Sequence, residues 1–303
     1  MPLLVTGTIG IDTVETPTAS VERVSGGSCA YFAVAAAFHH STVRVVAAVG
    51  GDWPAEHEKL LRSVSGLCLD GLEKRPESKT FAWGGKYLDN MNDRETLFTD
   101  LGVLEEDPPE IPSHYQDSRM IFLANSHPSI QLDLLDKVPD RTLAVADTMD
   151  LWINTANSEL HELLQQIDGF IINDSEAEML TGIADPIAAG QNILNLGPSF
   201  VIVKKGEYGS VLVDKDHTAV LPAFPLAIED VVDPTGAGDS FAGGFMGYIA
   251  TVDAIDFPAM QTAMAWGTVT ASFTLQSFGL DGLVDASSEK IQSRMDEFIA
   301  FAT

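Results

Sequence analysis

Short apolar runs recur along the chain, and stretches with helical spacing lie between them. Residues 3–7, 43–49, 120–123, 143–146, 170–172 and 200–203 are short and rich in Val, Ile and Leu. They predict buried parallel strands. Helix patterns cover residues 28–40, 130–135, 158–166, 175–180 and 186–196. Strand and helix alternating many times predict an α/β fold, a doubly wound, mostly parallel sheet flanked by helices. Residues 238–250, 260–275 and 288–301 predict a mostly helical C-terminal part.

Two segments break this rhythm. Residues 12–24 alternate and are rich in threonine, with Pro17 inside them. Residues 80–87 and 95–99 flank the polar turn Asp89-Asn90-Met91-Asn92-Asp93, as a hairpin would. Strands without intervening helices predict a small β-sheet standing off the main fold, built from about residues 12–25 and 80–99; the alternative is a pair of ordinary surface hairpins. There are no repeats and no long linker, so residues 1–303 read as one compact unit.

Composition narrows the function. The net charge of −27, from 44 acidic and 17 basic residues, argues against nucleic acid and anionic membranes as partners. It leaves room for a nucleotide, which backbone amides, a lysine or two and Mg²⁺ can hold locally. The acidic excess suits either solubility or a salty cytoplasm. No apolar run reaches the roughly 20 residues that span a bilayer. The N-terminus has no basic region or cleavage pattern of a signal peptide. Cys29 and Cys68 are the only cysteines, which fits a reducing cytoplasm better than a disulfide framework.

The chemistry concentrates in Asp233-Pro234-Thr235-Gly236-Ala237-Gly238-Asp239, which runs straight into the apolar Ser240-Phe241-Ala242-Gly243-Gly244-Phe245. Small residues let a backbone approach a ligand closely. A helix start offers free N–H groups and partial positive charge, and together they suit a phosphate. Asp239, at the mouth of such a site, is placed to take a proton from an attacking hydroxyl. The bland alternative is a tight turn with a helix cap.

The whole string resembles the C-terminal signature of the ribokinase-like (PfkB) carbohydrate and nucleoside kinases. The resemblance implies that Asp239 is the catalytic base and that Gly236, Ala237 and Gly238 form an anion hole for the transferred phosphoryl. It also implies a monovalent-cation site, such as one for K⁺, beside the anion hole at Asp233. Asn173-Asp174-Ser175-Glu176 follows a strand and opens a helix. It matches the family's Asn-x-x-Glu motif, which implies nucleotide phosphate handling by Asn173 and Mg²⁺ held through water by Glu176; its alternative is a helix cap. Val203-Lys204-Lys205-Gly206-Glu207-Tyr208-Gly209 keeps the family's Gly-x-x-Gly at Gly206 and Gly209 as a nucleotide-binding turn. Lys204 stands where the family commonly has threonine. It can meet nucleotide phosphates as a point charge or belong to a solvated lysine pair.

Nearer the N-terminus, Asp12 falls where the family has an aspartate that binds substrate hydroxyls. Gly26 and Gly27 resemble the family's glycine pair, where the backbone approaches the substrate. Tyr31 replaces the usual substrate-contacting asparagine, either bordering the substrate or packing in the core. Asp147-Thr148-Met149-Asp150-Leu151-Trp152 follows a further strand end and can face the cleft. His39-His40 reads as a capping or surface pair. The resemblance implies that the small sheet is a lid over the substrate, which would exclude competing water.

These readings converge on an ATP-dependent phosphotransferase acting on a hydroxyl, a primary hydroxymethyl, of a sugar, with ATP and Mg²⁺ as cofactors. A nucleoside kinase of the same family is the nearest alternative, with Tyr31, Phe81 or Trp83 as a wall for the base. A non-catalytic sugar-binding regulator on the same fold is the remaining one. An exposed lid edge also suits a homodimer.

Overall fold

The computed structural model describes residues 2–302. The chain enters through β1 (Leu3–Thr6), continues into β2 (Gly10–Glu15) and β3 (Ser20–Gly26), and turns into α1 (Ser28–Ala36). β4 (Val43–Gly50), α2 (Ala55–Ser63) and β5 (Leu67–Arg75) lead to the hairpin β6 (Phe81–Tyr87) and β7 (Arg94–Asp100). Alternating units follow: β8 (Met120–Leu123), α3 (Pro128–Asp136), β9 (Leu143–Ala146), α4 (Asp150–Thr155), α5 (Asn157–Leu164), β10 (Gly169–Asn173), α6 (Asp174–Thr181), α7 (Pro186–Leu194) and β11 (Phe200–Lys204). A hairpin, β12 (Ser210–Asp214) and β13 (Thr218–Leu221), precedes α8 (Ala237–Ile249), α9 (Phe257–Thr274), α10 (Asp281–Val284) and α11 (Ser288–Ala302).

Nine of these strands form one sheet in the order β13-β12-β11-β10-β9-β8-β1-β4-β5. The run from β11 to β5 is parallel, and β12 and β13 add antiparallel at one edge. Side chains of a strand alternate between faces, and here both faces are buried. Leu3, Val5 and Phe122 pack towards α1, α8 and α9, while Leu4, Ile121 and Leu123 pack towards α3, α5 and α7. Phe32 of α1 stacks on Phe122 at 4.3 Å. Thr274 of α9 donates to the buried Ser240 of α8 at 2.7 Å, which helps fix the helix that opens with Asp239. This is the expected doubly wound α/β sheet.

The other four strands form a separate sheet in the order β3-β2-β6-β7. Residues 12–24 split into two strands joined by a turn in which Thr16 N donates to Ala19 O at 2.8 Å. β2 and β6 pair in parallel, with Asp12 beside Trp83. The expected stand-off sheet is therefore present, at slightly shifted bounds.

Some expectations change in detail. The first helix ends at Ala36 rather than residue 40. His40 is buried, and its Nδ1 accepts from Thr42 N at 3.0 Å, so it caps the turn from inside instead of lying on the surface. β5, α2, α4 and the β12–β13 hairpin add to the elements read from the pattern. Both cysteines are free. Among the described residues no helix is long and apolar enough to cross a membrane.

Candidate active site

In open α/β sheets, ligands bind beyond the carboxyl ends of the strands. Here β9, β10 and β11 are neighbours, and their ends carry Asp147, Asn173 and Lys204. Asn173 and Lys204 are direct register partners. The turn before α8 arrives at the same place. A Cβ built on Gly238 would lie 2.6 Å from Lys204 Nζ, so the lysine amine faces the small-residue turn. The sequence left open whether Lys204 points to phosphate or solvent; the amine sits at the proposed anion site.

Gly236 is the N-cap of α8, with φ of +77°. A side chain there would be strained, and its Cβ would fall 2.4 Å from the ring of Tyr31. Asp239 follows in the first turn of α8. Burial pushes its carboxyl above the usual range, and the Lys204 amine, then the Arg94 guanidinium, pull it back. A carboxylate so placed can accept a proton from a hydroxyl held in front of it.

Asn173 and Glu176 form a reciprocal capping box on α6. Asn173 Oδ1 accepts from Glu176 N at 2.8 Å, and Glu176 Oε2 accepts from Asn173 N at 3.0 Å. The capping alternative is thus realised, and it orients Glu176 through Oε2. Glu176 is buried, which raises its pKa, while Lys204 lowers it. Asp147 is buried beside them, with Oδ1 lacking a partner in the protein. Burial and then the charge of Asp239 raise its pKa, and Lys204 counteracts them. Among the described residues no three His, Cys, Asp or Glu converge closely enough to enclose a metal ion. This donor set fits Mg²⁺, which keeps several waters and takes one or two carboxylates plus phosphate oxygens.

The other wall of the cleft is built from β2, the start of α1 and the lid. Asp12 is buried and lies so close to Gly26 that a Cβ on residue 26 would fall 1.8 Å from its Oδ2. Burial, and then the nearby Asp233, push the Asp12 carboxyl up to about 7, although the Gly27 amide donates to it. Asp233 is buried too. Its Oδ1 accepts from Thr235 N at 2.8 Å, and Oδ2 has no partner in the protein. An orphaned buried carboxylate oxygen suits a bound cation. Tyr31 is fully buried, and its hydroxyl lacks a protein partner. Burial, then Asp233, Asp12, Tyr87 and Asp239, hold its phenol protonated. Tyr31 is therefore buried, as its core alternative required, but beneath the anion turn rather than away from it.

The lid touches both halves of the cleft. Thr235 Oγ1 donates to Tyr87 Oη at 3.2 Å. A Cβ on Gly206 would lie 2.8 Å from Asn92 Oδ1, at the tip of the β6–β7 hairpin. Gly206 and Gly209 bound the turn from β11 into β12, with φ of +53° and +87°. Sequence reasoning missed Tyr87, Asn92 and Arg94, and noted Asp147 without giving it a role. The carboxyl-end rule could have found Asp147; the lid residues needed the strand register.

Residues 7–286 match the pfkB family carbohydrate kinase. The chain belongs to the pfkB family of carbohydrate kinases. The kinase is 30% identical over 248 residues to a cytidine kinase of Thermococcus kodakarensis, covering 81% of this chain and 87% of that one. It is 27% identical over 278 residues to a deoxyribokinase of Salmonella typhi, covering 88% and 86%. Its fold is similar to that of Arabidopsis thaliana ribokinase complexed with ribose and ATP, with a TM-score of 0.77 at 20% identity over 97% of this chain and 98% of that one.

Proposed function

We propose that this kinase transfers the γ-phosphoryl of ATP to a primary hydroxymethyl of a sugar ring. The observation that carries the reading is the meeting of Asp239, the Gly236–Gly238 turn and the Lys204 amine at one point, with Asp12 and its glycine neighbour on the substrate side. Asp12 accepts hydrogen bonds from vicinal hydroxyls and so aims the hydroxymethyl at Asp239. Asp239 takes the hydroxyl proton as that oxygen bonds to phosphorus. The bond from phosphorus to the β,γ-bridging oxygen breaks, and ADP leaves with that electron pair. The amides of Gly236, Ala237 and Gly238 hold charge on the moving group, and Lys204 neutralises the nucleotide phosphates. Asn173, Gly206 and Gly209 border the nucleotide.

Glu176, held by its capping box, and Asp147 would hold Mg²⁺ through its waters. The ion, when bound, neutralises phosphate charge. The unpartnered Oδ2 of Asp233 would take a monovalent cation such as K⁺ beside the anion hole. The free edges of the lid, β3 and β7, support a homodimer through the lid.

One observation favours a nucleoside as the acceptor. Trp83 is the direct neighbour of Asp12 across β2 and β6, so an indole stands beside the hydroxyl-binding carboxylate and can wall a base. The cytidine kinase resemblance points the same way. ADP release across a panel of pentoses, hexoses and nucleosides tests the reading. Turnover of sugars alone supports the first form, and turnover of nucleosides alone supports the second. Release from none of them would leave the sugar-binding regulator.

A further inference from the structure

Arg94 is a cation that the reading above does not use. It is the first residue of β7, and its register partner across the hairpin is Tyr87. Directly paired residues in an antiparallel ladder share a face, with Cβ atoms about 5 Å apart. Tyr87 reaches Thr235 in the anion turn. Two residues before Arg94, Asn92 lies against Gly206. Arg94 is thus fixed between a contact to the anion turn and a contact to the nucleotide-side turn, on the cleft face of the lid. Its guanidinium lies 6.0 Å from the Trp83 ring. None of the ion pairs among the described residues uses it.

The charge around it calls for a cation. Asp12, Asp147, Glu176, Asp233 and Asp239 surround the cleft, and a triphosphate adds more negative charge. Lys204 and Arg94 are the two side chains whose positive charge offsets the burial of Asp239, and both act on Glu176 as well. Lys204 approaches from the sheet, at Gly238. Arg94 approaches from the lid. An exposed arginine on an indole needs no function, since such a contact is worth about 0.5–1 kcal/mol by itself. That account does not explain its register with Tyr87, which sets it on the lid face that contacts Thr235.

We propose that Arg94 is a catalytic residue: a lid-borne guanidinium that donates hydrogen bonds to the non-bridging oxygens of the phosphoryl group as it passes from ATP to the acceptor hydroxyl. The proposal rests on the phosphotransfer reading above. The new bond joins the acceptor oxygen to phosphorus, the bond to the β,γ-bridging oxygen breaks with its electron pair going to ADP, and the hydroxyl proton goes to Asp239. Arg94 exchanges no proton. Because it sits on the lid, the positive side of the site is complete only when the hairpin is docked, which restrains ATP hydrolysis in an open cleft.

The test uses Arg94→Gln and Arg94→Lys in the full chain, with circular dichroism confirming the fold. Calorimetry measures binding of MgADP alone and of MgADP with aluminium fluoride, a mimic of the phosphoryl in flight. Wild-type protein is expected to bind the fluoride complex more tightly than MgADP. Arg94→Gln should keep the MgADP affinity and lose that tightening, with Arg94→Lys between. Equal tightening in Arg94→Gln overturns the role of Arg94 alone. No tightening in the wild type, with no turnover on the acceptor panel, overturns the phosphotransfer reading and this proposal together. With an acceptor that turns over, Arg94→Gln should lower kcat about 10²–10³-fold, the usual cost of one transition-state donor, with the acceptor KM little changed. A raised KM with kcat kept would mean that Arg94 holds the acceptor, and would overturn the proposal.

Discussion

The ring of Tyr31 lies directly beneath Gly236, so that a Cβ at position 236 would fall 2.4 Å from it. A residue of α1 thereby supports the turn that opens α8, and the wall of the cleft at Tyr31 is mechanically joined to the Gly236–Gly238 turn. The Tyr31 hydroxyl is buried without a protein partner. Removing an unsatisfied buried hydroxyl costs little, and a buried polar group left unpaired costs about 1–3 kcal/mol. Tyr31→Phe is therefore expected to be at least as stable as wild type in urea unfolding. If the hydroxyl borders the acceptor, Tyr31→Phe raises the acceptor KM and leaves the KM for ATP unchanged. Tyr31→Asn, which restores the residue usual in the family, should shift acceptor preference. A Tyr31→Phe protein with unaltered acceptor kinetics would make Tyr31 a support for Gly236 alone.

Asp12 makes stability depend on pH. Its carboxyl is raised from 3.8 to about 7 in the folded chain. Between those values the folded state holds a proton that the unfolded state has lost, so stability falls as pH rises through the window. Below about 4 both states are protonated and the penalty vanishes; above about 7 it is complete. Asp12→Asn cannot ionise. In the absence of substrate it should melt higher than wild type at pH 8, and the difference should shrink towards pH 4. A difference in melting temperature that is constant with pH would contradict this assignment.

Lys204 holds down the pKa of both Asp239 and Glu176. Lys204→Met should raise the KM for ATP and move the acidic limb of the kcat/KM profile to higher pH, because Asp239 then ionises later. A weakened ATP affinity with an unmoved acidic limb would separate Lys204 from the base.

Glu176→Gln isolates charge from architecture. Glutamine also serves at the third position of a capping box, so α6 should keep its start. The variant is expected to fold and to need more MgCl₂ for half-maximal turnover. Full activity in excess chelator, in wild type or variant, would remove Mg²⁺ from the account.

Much of this arrangement is legible in the order of the amino acids. The alternation of apolar strands and helices determines the sheet, and the small residues between Asp233 and Asp239 mark the helix start at Gly236. The lid strands stand out because no helix separates them. β5 is harder to read, because Asp70, Glu73, Lys74 and Arg75 interrupt its apolar pattern on a half-exposed edge strand. Arg94 lies on a strand whose residues are all exposed, so no hydrophobic period marks the face it uses. That face follows from the register of β6 against β7, which shifts at Gly84 and Gly85. The role of Asn173 is likewise undecided by sequence, because capping and phosphate handling ask for the same residue at the same helix start.

The central claim is that Asp239 is the base. Asparagine has nearly the same shape and cannot accept the proton. A positioned base contributes about 10²–10⁴-fold in rate. The decisive measurement is kcat for Asp239→Asn, by ADP release with the best acceptor from the panel, on protein that melts like wild type and binds MgADP with unchanged affinity. The account predicts a loss of about 10²-fold or more. Turnover equal to wild type in that folded, nucleotide-binding variant would reduce Asp239 to a helix-start residue and contradict the account.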